Sequence, residues 1–171
     1  MDLKPFLSVI STRYRLNPLG LHGLSHWARV LDNGHRLAEI SGGDRQVITL
    51  FAIFHDACRI NDQVDPGHGS RGADLAGQVL EGTGVISPRQ LDLLQEACRR
   101  HTDGATEGEL TLQVCWDADR LDLARAHITP DPAYLCTPAA RDPDLIHWAN
   151  QRARASHIPP IVPERWLPIF V

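Results

Sequence analysis

Apolar residues recur at steps of three and four along most of this chain, the period of helices with one buried face. Leu3 to Tyr14 reads as a short amphipathic helix closed by "LNPLG". From about His22 to Ile40, Trp27, Val30, Leu31, Leu37 and Ala38 keep helical spacing, and "SGGD" ends the run. Asp44 caps a helix through Val47, Leu50, Phe51 and Phe54 that is expected to stop near Ile60. After the turn "DPGHGS", Arg71 to Leu80 reads as helix, closed by "EGTG". Ser87 before Pro88 is a helix-start arrangement, and Leu91, Leu94, Cys98 and His101 follow at steps of three and four. "HTDGATEGE" reads as loop, Leu112 to Ala124 as helix, and Leu145 to Ala155 as the last helix. The Pro-rich end "HIPPIVPERWLPIFV" is expected to run as an extended strap with apolar anchors. No stretch alternates as a strand would. The pattern predicts an all-α fold, one compact helical domain over residues 1–171 with a Pro-rich extended C-terminal tail.

Composition narrows the function classes. A chain of 171 residues, 43% hydrophobic and 22% charged, has the balance of a soluble globular protein with a sizeable core. A net charge of -4 carries no electrostatic footprint for nucleic acid or an anionic membrane. A small basic pocket for a phosphorylated metabolite remains compatible with it. No apolar run approaches the roughly 18 to 20 residues of a membrane span, and the start "MDLKPFLSVISTRYRL" lacks a signal-peptide pattern. A cytoplasmic protein with reduced thiols is expected. Cys58, Cys98, Cys115 and Cys136 form no CxxC pair, and three of the four read as small core residues. Nothing in the sequence sets the oligomeric state.

The candidate chemistry lies with the histidines. In "FAIFHDACRINDQVDPGHG" an apolar run leads directly into His55–Asp56, two groups that are costly to bury without a partner. His26 sits beside the apolar stripe of its helix, His55 shares a face with Phe51 and Cys58, and His101 ends the Leu91–Leu94–Cys98 stripe. Asp119 lies on the face of Leu112 and Cys115, within "CWDADRLDL". Four helices thus deliver His or Asp from a core-facing side, and imidazole with carboxylate is the donor set of a borderline divalent metal. Periodicity does not separate Asp119 cleanly from Asp117 and Asp122. His22, one turn before His26, reads as a ligand, a substrate contact or part of a helix start. His35, His127, His147 and His157 read as surface or structural residues.

In combination and order, "HGLSHWARV", "FAIFHDACR" and "DADRL" resemble the HD-domain superfamily of metal-dependent phosphohydrolases, over about Leu21 to Arg125. The resemblance implies His26, His55, Asp56 and Asp119 as metal ligands. "HGSRGA" and "ACRRHTDG" look like the extra histidines of members that bind a second metal, which would add His68 and His101, with Asp56 bridging. It further implies Mn, Fe, Ni or Co as cofactor, a metal-activated hydroxide, and a small phosphorylated substrate, a nucleotide among the candidates. Arg59, where the family often has Lys, is the residue expected to hold a phosphate oxygen, with Arg71 a weaker candidate. By the same resemblance, alternatives are a mixed-valent di-iron oxygenase cleaving a C–P or C–C bond, and a non-catalytic binding domain.

Overall fold

The computed structural model describes all 171 residues, Met1–Val171. It contains eight α-helices and no strand, so the all-α expectation is borne out. The helices are α1 (Lys4–Ser11), α2 (Leu24–Ser41), α3 (Arg45–Phe54), α4 (His68–Leu80), α5 (Pro88–Arg100), α6 (Leu110–Arg120), α7 (Pro143–Arg154) and α8 (Leu167–Phe170).

α3 is the axis of the core. Seven of its ten residues, Val47, Ile48 and Leu50 to Phe54, are buried, so this helix is apolar nearly all round and must be covered on every side. α2, α5 and α6 supply that cover, and α4 lies along α5. Trp27, Trp116 and Trp166 are the largest side chains enclosed. Local chemistry sets the helix starts: Asp44 accepts from the amides of Gln46 and Val47, and Ser87 forms a capping box with Gln90 behind Pro88.

Several boundaries differ from the sequence-based expectations. α3 ends at Phe54, not near Ile60, and the chain leaves through turns closed by Ala57 N–H to Phe54 O and Arg59 N–H to Asp56 O. α4 begins at His68, not Arg71, and α6 ends at Arg120, not Ala124. The tail corrects the expected extended strap: after Pro160 it turns into a π-helical stretch at Val162–Trp166 that runs on into α8. Pro163 and Pro168 stand in first turns, where no backbone N–H is needed, so they start helix instead of preventing it. Val162 and Trp166 are the buried anchors of this segment.

Two glycines decide how α4 sits. A Cβ at Gly72 would lie 2.3 Å from Phe54 O, and one at Gly69 would lie 2.2 Å from Cys98 O. Only a residue without a side chain lets α4 cross this closely over the ends of α3 and α5. That approach places His68 beside His101 and Asp56.

Candidate metal centre

Every candidate side chain stands at or near a helix end that points into the interior. His26 is in the first turn of α2, His55 caps the C-terminus of α3 with Asp56 next, His68 opens α4, His101 caps α5, and Asp119 is the penultimate residue of α6. Helix ends free backbone groups and aim side chains along the axis, so elements packed on α3 bring their ends to one spot.

The structure brings the six residues together as two groups. His26 Nε2 lies 3.1 Å from His55 Nε2, 3.6 Å from Asp56 Oδ2 and 3.4 Å from Asp119 Oδ1. His68 Nε2 lies 2.8 Å from His101 Nε2 and 3.2 Å from Asp56 Oδ1. One carboxylate oxygen of Asp56 faces each pair. Donors about 2.1 Å from one ion are separated by about 3.4 Å in a tetrahedral site, so these spacings suit a shared cation.

Proton bookkeeping makes the fit sharper. His55 Nδ1 donates to Phe51 O at 3.0 Å, His101 Nδ1 to Cys98 O at 2.7 Å, and His68 Nδ1 to Asp65 O. His26 Nδ1 donates to Asp122 Oδ2 at 2.7 Å. A carbonyl or carboxylate oxygen only accepts, so each Nδ1 carries the proton and each Nε2 of the neutral ring presents a lone pair. Two buried lone pairs then face each other in each pair, and of the four only that of His68 meets a donor, Arg59 Nη1 at 3.1 Å. A proton between them would relieve this, but burial pushes the His55 pKa down to about 3 and also lowers that of His101. Asp119 Oδ1 is buried with no hydrogen-bond partner. Burial alone would raise the Asp119 pKa, but His55, His26 and Arg125 outweigh it and hold the carboxylate at about 2. The donors therefore fit a divalent cation: His26, His55 and Asp56 on one side and Asp56, His68 and His101 on the other could hold one each, and Asp119 Oδ1, 3.4 Å from His26 Nε2 and 3.9 Å from His55 Nε2, adds a donor to the first.

The three carboxylates of "DADRLD" separate cleanly in space. Asp119 faces His26 and His55. Asp117 points elsewhere, accepting from the amides of Cys136 at 2.6 Å and Thr137 at 2.8 Å and from the Thr137 hydroxyl at 2.8 Å. Asp122 stands behind His26, where Arg29 Nε (2.7 Å) and Nη2 (3.0 Å) donate to its two oxygens. Arg29 lies one turn after His26, and a cation on that face is the one sequence signal that a carboxylate must meet it. His22 is in neither group: its Nδ1 lies 2.8 Å from Asp62 Oδ1, a partner that sequence reasoning missed. Burial lowers the His22 pKa, with Asp62 opposing.

Arg59 is buried against the second group, its Nη1 3.5 Å from Asp56 Oδ1 and 3.1 Å from His68 Nε2. Its remaining nitrogens donate to Asn61 O and Gln63 O. Arg71 is outside both groups, bound to Asp65 and to Cys58 O. Asp119, with its side chain 14% exposed, is the most accessible of the six candidates.

No helix is long and apolar enough to cross a membrane. No curated protein and no solved structure matches the chain. The family model of the HD domain matches residues 23–124, a span that begins just before α2 and closes after Asp122, enclosing all six candidate ligands. With well over half of its length in that match, the chain belongs to the HD-domain superfamily of metal-dependent phosphohydrolases.

Proposed function

We propose that this protein hydrolyses a phosphomonoester or phosphodiester of a small molecule, a nucleotide among the candidates, at a centre of two divalent transition-metal ions. The observation that carries the reading is the double convergence of imidazole lone pairs, 3.1 Å apart at His26–His55 and 2.8 Å apart at His68–His101, with one oxygen of Asp56 turned to each pair. Mn, Fe, Ni and Co all suit such a donor set. Bound ions supply Lewis acidity toward a phosphoryl oxygen and lower the pKa of water toward neutrality.

The chain's own residues do the rest. Asp122 and the carbonyls of Phe51, Asp65 and Cys98 fix the four ring tautomers in advance, so no imidazole has to reorient during turnover. Near-complete burial of His26, His55, His68 and His101 excludes bulk water from the donors. Arg59, already beside Asp56, is the group we assign to a phosphate oxygen. His22, whose Nδ1–H is held by Asp62, presents a bare Nε2 that can accept a proton from the attacking water. The proposal keeps the protein in the cytoplasm, where its four free thiols stay reduced.

A second reading rests on Arg59. Its guanidinium donates to His68 Nε2, a fixed cation where the second ion would sit, and favours a mononuclear centre on His26, His55, Asp56 and Asp119. Elemental analysis of freshly purified protein decides between them, with about two metals per chain expected and about one supporting the second reading. Phosphate release from an ester panel under anaerobic conditions tests the reaction, since water is then the only co-substrate. Full activity after exhaustive chelation overturns the metal reading. Turnover that needs oxygen would assign the centre to a di-iron oxygenase, and metal binding without any turnover to a binding domain.

A further inference from the structure

A cavity of about 660 Å³ has in its wall Arg59, which also touches Asp56 and His68 of the metal centre, and four arginines line it: Arg13, Arg15, Arg59 and Arg71. Asp74 is the one carboxylate among its lining residues. Arg59 and Arg71 meet Asp56 and Asp65, and Asp74 meets Arg99, which leaves Arg13 and Arg15 as guanidinium groups without a carboxylate partner in a chain of net charge -4.

Three of the guanidinium groups are held in place. Arg13, just beyond α1, donates from Nη1 to Gln78 Oε1 on α4 at 2.9 Å. Arg71 donates from Nε to Cys58 O at 3.0 Å and from Nη2 to Asp65 Oδ2 at 2.5 Å. A Cβ at Gly67 would lie 2.7 Å from Arg71 Nη1, so the glycine makes room for that side chain. Arg59 is tied to Asn61 O and Gln63 O, and it reaches from this cavity to Asp56. Each guanidinium carries five N–H donors, and these bonds use only part of them. Forked, pre-oriented donors match the oxygens of phosphate better than a single carboxylate, and the volume is that of a small-molecule site.

We propose that this cavity is an anion subsite for a second phosphate of the substrate, so that the protein acts on small molecules carrying two phosphate groups. The proposal rests on the phosphohydrolase reading for which phosphate reacts, but not for the subsite's affinity. Arg59 is shared by both sites and sets them side by side.

The test uses the metal-loaded protein and inorganic pyrophosphate as probe, titrated by calorimetry. Arg13→Gln with Arg15→Gln, both exposed positions, weakens binding by about tenfold or more for the loss of charge-assisted hydrogen bonds. Asp74→Asn tightens it, an opposite sign that a structural role would not produce. In an ester panel, bisphosphates are turned over with higher kcat/KM than the matching monophosphates, and the double variant loses that preference. Equal pyrophosphate affinity in wild type and double variant overturns the subsite, as does a wild type that prefers monophosphates. Should no ester be hydrolysed while the arginine dependence of pyrophosphate binding remains, the subsite stands and the hydrolase reading falls.

Discussion

At Asp119 a buried carboxylate oxygen has no hydrogen-bond partner, whereas two residues earlier Asp117 has three donors. These two carboxylates should fail differently. Asp119→Ala is expected to weaken metal binding by about tenfold or more while the chelated protein keeps its melting temperature. Asp117→Ala is expected to leave metal affinity nearly intact and to cost about 3 kcal/mol of stability, because the amides of Cys136 and Thr137 lose a charged acceptor in the interior. Metal titration and denaturant unfolding of both variants check this, and metal loss in Asp117→Ala alone would shift the ligand by two positions. His22→Asn should lower kcat by about 100-fold and flatten the acidic side of the pH–rate profile, where protonation of the base costs activity, with metal content unchanged. Among these residues, His55–Asp56 is legible in the sequence because a polar pair ending an apolar run demands a partner. Asp117, Asp119 and Asp122 are not, since three carboxylates within two turns of helix differ only in what stands opposite them.

The elements differ in how much their own residues decide. α5 can be read from end to end, since the Ser87–Gln90 capping box with Pro88 sets its start and the Leu94–Cys98 stripe its buried face. α4 cannot, because its first five residues include Gly69 and Gly72, which lower helix propensity and suggest a loop. They are needed for contact instead: a methyl at Gly72 would meet the backbone oxygen of Phe54. Gly72→Ala is accordingly expected to destabilise the protein by about 1 to 3 kcal/mol and to displace His68. The measurable outcome is metal content reduced by one ion with the His26–His55 side still loaded, read by elemental analysis alongside thermal unfolding. The tail teaches the reverse lesson. Four prolines between Pro159 and Pro168 suggest extended chain, yet Val162 and Trp166 find the core and helix forms around them.

For the molecule as a whole, metal binding and stability should be linked. An ion held only by the folded chain adds stability that grows with its concentration, about 4 kcal/mol at 1,000 times the dissociation constant. Chelation should therefore lower the melting temperature, and Mn, Ni or Fe should restore it. Acid should act on the chelated protein in a definite sense. His55 titrates near 3 in the folded state against an ordinary value of 6.5, so between these values the unfolded chain binds the extra proton. Stability should fall as pH drops from about 6.5 toward 3, and denaturant midpoints at pH 7 and pH 5 in chelator check the sign. The sequence by itself determined the helical class, most helix starts and the order of the His and Asp motifs. These follow from hydrophobic period, caps and short spacings, which act over a few residues. The tertiary structure alone decided which carboxylate meets the imidazoles, that Asp56 faces both pairs, that α4 begins at His68, and that four arginines from three stretches of chain enclose one cavity. Those facts depend on distances between residues up to 96 positions apart, such as His26 and Asp122, and only the packing of helices around α3 sets such distances.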